Sequence, residues 1–278
     1  MIFCHASHLT KWFIRIFITL SISIAVFFTS YSYSKCDNKP VTVGVIDTGF
    51  GYQEHGKEAS LCKLGHRNFT HQPEVFKDNR TSTPIPLDLH GHGTNIAGII
   101  DRLAKSTKAN FCIVVLKYYV NDGYGSQNLK ATVDAINWAA DIKLDYLNYS
   151  SGGEDPSADE FKAIERYLNG GGTLVVAAGN NGMNLDDKDH HYYPACYTDK
   201  RIIVVGMLDK NGVQYRYSNY GSVVTRWEIG AEVDGFGISE SGTSQAAAVA
   251  TGKLVAQTKS RCKDVPIRRK SSKEKETR

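Results

Sequence analysis

Proline and methionine are scarce in this sequence, seven and three in 278 residues. With 41% hydrophobic and 22% charged residues, the balance excludes collagen-like and wholly disordered chains. No apolar run reaches the roughly 20 residues of a spanning helix. The longest, 16–28, falls short, so a polytopic membrane protein is excluded. There is no Cys-x-x-Cys pair, which removes the usual structural zinc patterns, and no metal-ligating set is assigned. No dense Lys/Arg cluster occurs between 36 and 260, so nucleic acid is not an expected partner.

The formal charge of +4 resides at the two ends. Residues 1–35 carry +3 and 261–278 carry +5, leaving 36–260 at −4. Lys11 and Arg15 precede the apolar run, and Ser30, Ser32 and Ser34 follow it. That order of charged, apolar and small-residue zones marks residues 1–34 as an export signal, the alternative being an uncleaved membrane anchor stretched through Tyr31 and Tyr33. Export to a periplasmic or extracellular space permits disulfides. Cys4 leaves with the signal, and Cys36, Cys62, Cys112, Cys196 and Cys262 remain, so at least one thiol is unpaired within the chain. Cys112, inside the apolar run 111–116, is expected to be a buried free thiol. The tail 261–278 is rich in Lys, Arg, Ser and Glu and is expected to be disordered. Its charge suits weak contact with anionic surfaces.

Between the ends, short Val- and Ile-rich runs at 41–46, 111–116, 144–149, 173–178 and 202–206 lack strict alternation, as strands covered on both faces do. Helical spacing lies between them. Leu129, Val133, Ile136 and Ala140 share a face, as do Phe161, Ile164 and Leu168. Ser157 and Glu160 form a capping box, and Gly170 fits the stop. Strands alternating with helices predict an α/β fold, a mostly parallel central sheet with helices on both faces, in one domain over 36–260. Residues 50–90 read as long surface loops with a short hairpin.

Four segments place chemistry at element ends. Asp47 closes the run Val43-Gly-Val-Ile-Asp47, where open sheets gather functional groups. His92 opens a small-residue helix in His90-Gly-His92-Gly-Thr-Asn-Ile-Ala-Gly98. Asn180 follows a buried strand on the glycine turn Ala178-Gly179-Asn180. Ser244 starts an Ala-rich helix, where free N–H groups stabilise an anion. Taken together these are the parts of acyl transfer: nucleophile, base, orienting carboxylate and oxyanion donor. One DTG tripeptide without a partner excludes an aspartic protease, and Ser244 lacks the G-x-S-x-G of α/β-hydrolases.

The segments VIDTGF, HGTNIAG, SSGG, VVAAGNNG and SGTSQAAA resemble the subtilisin-like serine proteases, or subtilases, over roughly residues 41–257. The resemblance implies a subtilisin-like fold and an exported serine endopeptidase. Ser244 is then the nucleophile, His92 the base and Asp47 its orienting carboxylate, with Asn180 as oxyanion donor. Gly123, Gly125, Ser150, Ser151, Gly152, Gly153 and Gly179 line a polypeptide substrate. Asn181 stands where some relatives carry an acid, which argues against selection of Lys or Arg at P1, the residue before the cleaved bond. Tyr193-Pro194 resembles a turn that is often cis. The alternative is a weak or inactive subtilase-fold binding or regulatory protein. The rate is expected to rise with pH through roughly 6–7, as an ordinary imidazole deprotonates.

Departures from the family pattern carry their own expectations. Too few residues separate the proposed cleavage point from Asp47 for the family's pro-domain, so the domain folds unaided or with a helper in trans. The family's methionine beside the serine is Gln245, which cannot form a sulfoxide. Mild peroxide should therefore leave turnover intact, and loss of turnover would contradict this. The chemistry requires no cofactor. Calcium is a common structural ion of the family but is mapped to no loop here. The run Asp186, Asp187, Asp189 reads as a solvated loop, and Asn148 as a chance glycosylation sequence in a buried strand.

Overall fold

The computed structural model describes residues 32–36, 39–51, 58–120, 125–258 and 262–266. Strands β1 (Ser32–Cys36) and β13 (Cys262–Pro266) pair in a two-stranded sheet. β13 falls in the tail expected to be disordered; pairing with β1 supplies backbone partners that its composition does not reveal. Residues 1–31 and 267–278, with most of the proposed signal and the rest of the tail, lie outside the described residues.

The span Cys36–Cys262 forms its own compact unit. At its centre is a seven-stranded sheet of β2 (Val41–Asp47), β3 (Arg67–Asn68), β6 (Phe111–Lys117), β7 (Tyr146–Tyr149), β8 (Thr173–Ala177), β9 (Ile203–Leu208) and β10 (Arg226–Ile229). The spatial order is β10-β9-β8-β7-β2-β6-β3, and every pairing is parallel. Side chains alternate across it, as a strand's period of two requires. Ile46, Val114, Leu116, Leu147, Leu174 and Val176 point to one face, against α2 (Gly125–Asp141) and α3 (Ala158–Asn169). Val43, Val45, Ile113 and Val115 point to the other, against α1 (His92–Ser106) and α4 (Thr243–Gln257). Both faces are apolar, which is why the strands read as continuous hydrophobic runs.

The structure corrects several local expectations. Of the expected α2 face, Ile136 is buried and Val133 and Ala140 pack against the core, but Leu129 is exposed; Ala131, Ala135 and Ala139 complete the buried stripe, and small residues let this helix lie close to its neighbours. Ser157 Oγ accepts from Glu160 N–H at 3.2 Å, but the Glu160 carboxyl does not return to close the box. It is buried and accepts from Tyr149 Oη and Tyr197 Oη at 3.0 and 2.8 Å. Burial lifts its pKa, against those two hydrogen bonds. Cys112 is not free: it is disulfide-bonded to Cys62, because a bridge between Leu61 and Ile113 lays segment 59–62 alongside β6. Cys196 is the free thiol among the described residues. Segment 58–90 is not all surface: Ala59, Cys62 and Ile85 are buried. It does hold a short hairpin of β4 (Val75–Phe76) and β5 (Ile85–Pro86).

Candidate active site

The chain leaves β2 toward β6 on one side, and β7 returns on the other. That reversal opens a crevice at the carboxyl ends of the strands, the standard position for a site in an open α/β sheet. Asp47 ends β2 there and is 3% exposed. Its Oδ1 accepts from Thr48 N–H at 2.8 Å and lies 2.7 Å from His92 Nδ1. An oxygen already accepting from a backbone N–H acts as an acceptor, so Nδ1 carries the imidazole proton and Nε2 is left basic.

His92 owes its position to Asp88. Asp88 Oδ1 accepts from His90 and Gly91 N–H, and Oδ2 from Thr94 N–H and Oγ1, which gathers the free donors at the start of α1. Burial alone would raise the Asp88 pKa; these hydrogen bonds more than offset it and hold it low. Thr48 ties the assembly together, donating to Asp88 Oδ1 and accepting from Gly93 N–H.

Ser244 is the second residue of α4 and is buried. Its Oγ donates to Ser150 O at 3.0 Å, and Ser150 Oγ donates to Ser244 O at 3.1 Å. Among the described residues no hydrogen bond joins Ser244 Oγ to His92. The two helices are nevertheless pinned at their starts: Gln245 Nε2, next to Ser244, donates to Asn95 Oδ1, three residues after His92. Gln245 Nε2 also donates to Glu240 Oε2, in β12 (Ile238–Glu240), and Asn95 Nδ2 to the carbonyls of Val233 and Ile238.

Asn180 follows β8 through Gly179, whose φ of +98° suits glycine. Asn180 Oδ1 accepts from Thr243 N–H and Oγ1 at 2.9 and 3.0 Å. A backbone N–H can only donate, so the amide orientation is fixed: oxygen toward α4, Nδ2 outward and available. Thr243 Oγ1 in turn accepts from Gly179 N–H.

Burial acts to lower the His92 pKa, but the Asp47 carboxylate, aided by Glu240 and Asp88, overrides it and raises the value from 6.5 to about 9. This moves the expected deprotonation above the pH 6–7 read from the sequence.

The family described as Peptidase_S8, the subtilase family, matches residues 38–272. The chain belongs to the subtilase family. It is 31% identical over 227 residues to Subtilisin-like protease 1 of Pseudogymnoascus destructans, covering 78% of this chain and 51% of that protein. Over 187 residues it is 29% identical to Subtilisin DY of Bacillus licheniformis, covering 66% of this chain and 61% of that one. The chain spans about half the length of the first curated relatives it matches. Among solved structures, a lanthipeptide protease superposes with a TM-score of 0.60 at 21% identity, covering 78% of this chain and 73% of the other. A cold-adapted subtilisin-like serine proteinase gives 0.58 at 24%, covering 79% and 76%. Both likenesses show the fold.

Within this subtilase fold, Ser151, Gly152 and Gly153 continue from Ser150 and β7, and Gly153 pairs with Tyr193 in both directions. Gly125 is exposed at the first residue of α2, and Gly123 lies outside the described residues. The Tyr193–Pro194 peptide is cis. Asn148 is fully buried, donating to Ser150 Oγ and accepting from Thr251 Oγ1. In the acidic run, Asp186 accepts from Ser222 N–H and Oγ, and Asp187 from Asp189 N–H. Sequence reasoning missed Asp88, Thr243 and the Asn95–Gln245–Glu240 chain. Only Asp88 had a local signal, an acid just before a helix start.

Proposed function

We propose that this subtilase is an exported serine endopeptidase that cleaves polypeptides through an acyl-enzyme. The observation that carries the reading is the half-buried Asp47–His92 bond, which leaves Nε2 basic at the start of a helix packed beside that of Ser244. In this reading Ser244 Oγ exchanges its bond to Ser150 O for one to His92 Nε2. His92 then takes the hydroxyl proton as Oγ attacks the scissile carbonyl. Asn180 Nδ2 and Ser244 N–H receive the oxyanion; the latter, so early in α4, has no helical acceptor. His92 returns the proton to the leaving amine, and water, activated by the same imidazole, releases the acyl group. The Cys62–Cys112 disulfide supports an oxidising destination, in keeping with a signal at 1–34.

Purified protein should degrade reduced, unfolded casein and take a fluorophosphonate label on Ser244. Absence of both overturns the reading. Asn180→Leu should lower kcat by about 10²–10³ with little change in KM, the scale for an oxyanion donor in this family. An unchanged kcat would remove Asn180 from that role.

A further inference from the structure

Two backbone segments lead away from the atoms that would hold a substrate carbonyl. One runs from Ser150 through Gly152 to Gly153; the other is the end of β8 with Gly179, ending at Asn180. In the reading above, on which this inference rests, both segments line the substrate, and the P1 side chain springs from the carbon next to the carbonyl held at Asn180 Nδ2 and Ser244 N–H, which directs it between them. The structure shows what occupies that space. A methyl group on Gly152 would lie 2.8 Å from Tyr192 Cε1 and 2.9 Å from Cζ. One on Gly179 would lie 2.9 Å from Tyr192 Cγ and 3.0 Å from Cδ1. Tyr193 O and Asn219 Nδ2 come nearer still, at 2.1 Å from the first methyl and 2.3 Å from the second, but among the described residues the Tyr192 ring is the one side chain that lies beside both glycines.

The ring is also held in place. Tyr192 N–H donates to Cys196 Sγ at 3.3 Å and Cys196 N–H to Tyr192 O at 2.9 Å, closing a turn. The next residue, Tyr193, exchanges two backbone hydrogen bonds with Gly153, at 2.7 and 2.9 Å. Tyr192 packs against the core on the α2–α3 face. Burial, reinforced by nearby Glu160, lifts its hydroxyl to about 12, so the ring is neutral at working pH. Displacing it would open a void in a close-packed region.

We infer that Tyr192 fills the P1 pocket and restricts cleavage to bonds after small residues, glycine, alanine or serine. A large P1 side chain would have to expel the ring, whereas a hydrogen or a methyl group lies against its face. Specificity here comes from steric exclusion, which discriminates more strongly than the added contact of a few methylenes.

The test uses succinyl-Ala-Ala-Pro-X p-nitroanilides with X as Ala or Phe, on wild type, Tyr192→Phe and Tyr192→Gly, with fluorophosphonate labelling of Ser244 run alongside. Wild type and Tyr192→Phe should favour Ala over Phe in kcat/KM by at least about tenfold, and Tyr192→Gly should shift that ratio toward Phe by about 100-fold. Sequencing the ends of casein fragments made by wild type gives a second readout that does not depend on a variant folding; small residues should dominate at P1. A labelled wild type that prefers Phe, casein cuts after large residues, or an unchanged ratio in labelled Tyr192→Gly overturns the inference and leaves the protease reading standing. Failure of wild type to label or turn over any substrate overturns both.

Discussion

Replacing Ser244 with alanine is expected to lower kcat on an unfolded polypeptide by about 10⁶, the scale measured for subtilisin itself. The loss is this large because the hydroxyl forms the covalent bond, and no neighbour can substitute. Ser150 is buried against Ser244, but its Oγ is bonded to Ser244 O and Asn148 Nδ2. Folding should survive, since alanine suits the first turn of α4 and the anchoring bonds of Thr243 and Gln245 remain. Circular dichroism should overlay with wild type, and fluorophosphonate labelling should vanish. A loss below about tenfold would mean that Ser244 is not the nucleophile.

The second large effect is at Asp47. Asp47→Asn should lower the plateau kcat by about 10⁴, because an amide can donate to Nδ1 and stabilise the wrong tautomer. The pH profile should move as well. A base acts only when unprotonated, so a raised pKa delays activity to higher pH. With His92 raised to about 9, wild-type kcat/KM rises with pH through about 9. Removing the Asp47 charge leaves burial, which lowers the pKa, opposed by Glu240 and Asp88. The rising limb should therefore shift toward or below 6.5 in the variant. Plateau height reads orientation and the midpoint reads electrostatics, so one titration separates them. A variant with its midpoint unmoved would contradict the electrostatic account.

Much of this was legible in the sequence, for an identifiable reason. Strands covered on both faces have to be apolar throughout, so β2, β6 and β8 announce themselves as Val/Ile runs. Asp47, His92, Asn180 and Ser244 sit at element ends, where local sequence fixes the turn or helix start. What was illegible depends on register between distant segments. Cys62 meets Cys112 only because segment 59–62 lies along β6. Glu160 has a capping-box position, but Tyr149 and Tyr197 take its carboxyl, and tertiary partners win over a local motif. Tyr192 reads as one aromatic among fifteen tyrosines, and its meaning appears only where Gly152 and Gly179 converge on its ring.

The central claim is that the His92 imidazole activates the Ser244 hydroxyl. The rate constant of fluorophosphonate labelling at Ser244, followed against pH in wild type and His92→Ala, tests it without needing a substrate. The account predicts a wild-type rate that climbs through about pH 9 and a variant that labels at least about 10³-fold more slowly, with no such climb. Equal labelling rates in the two proteins would contradict it.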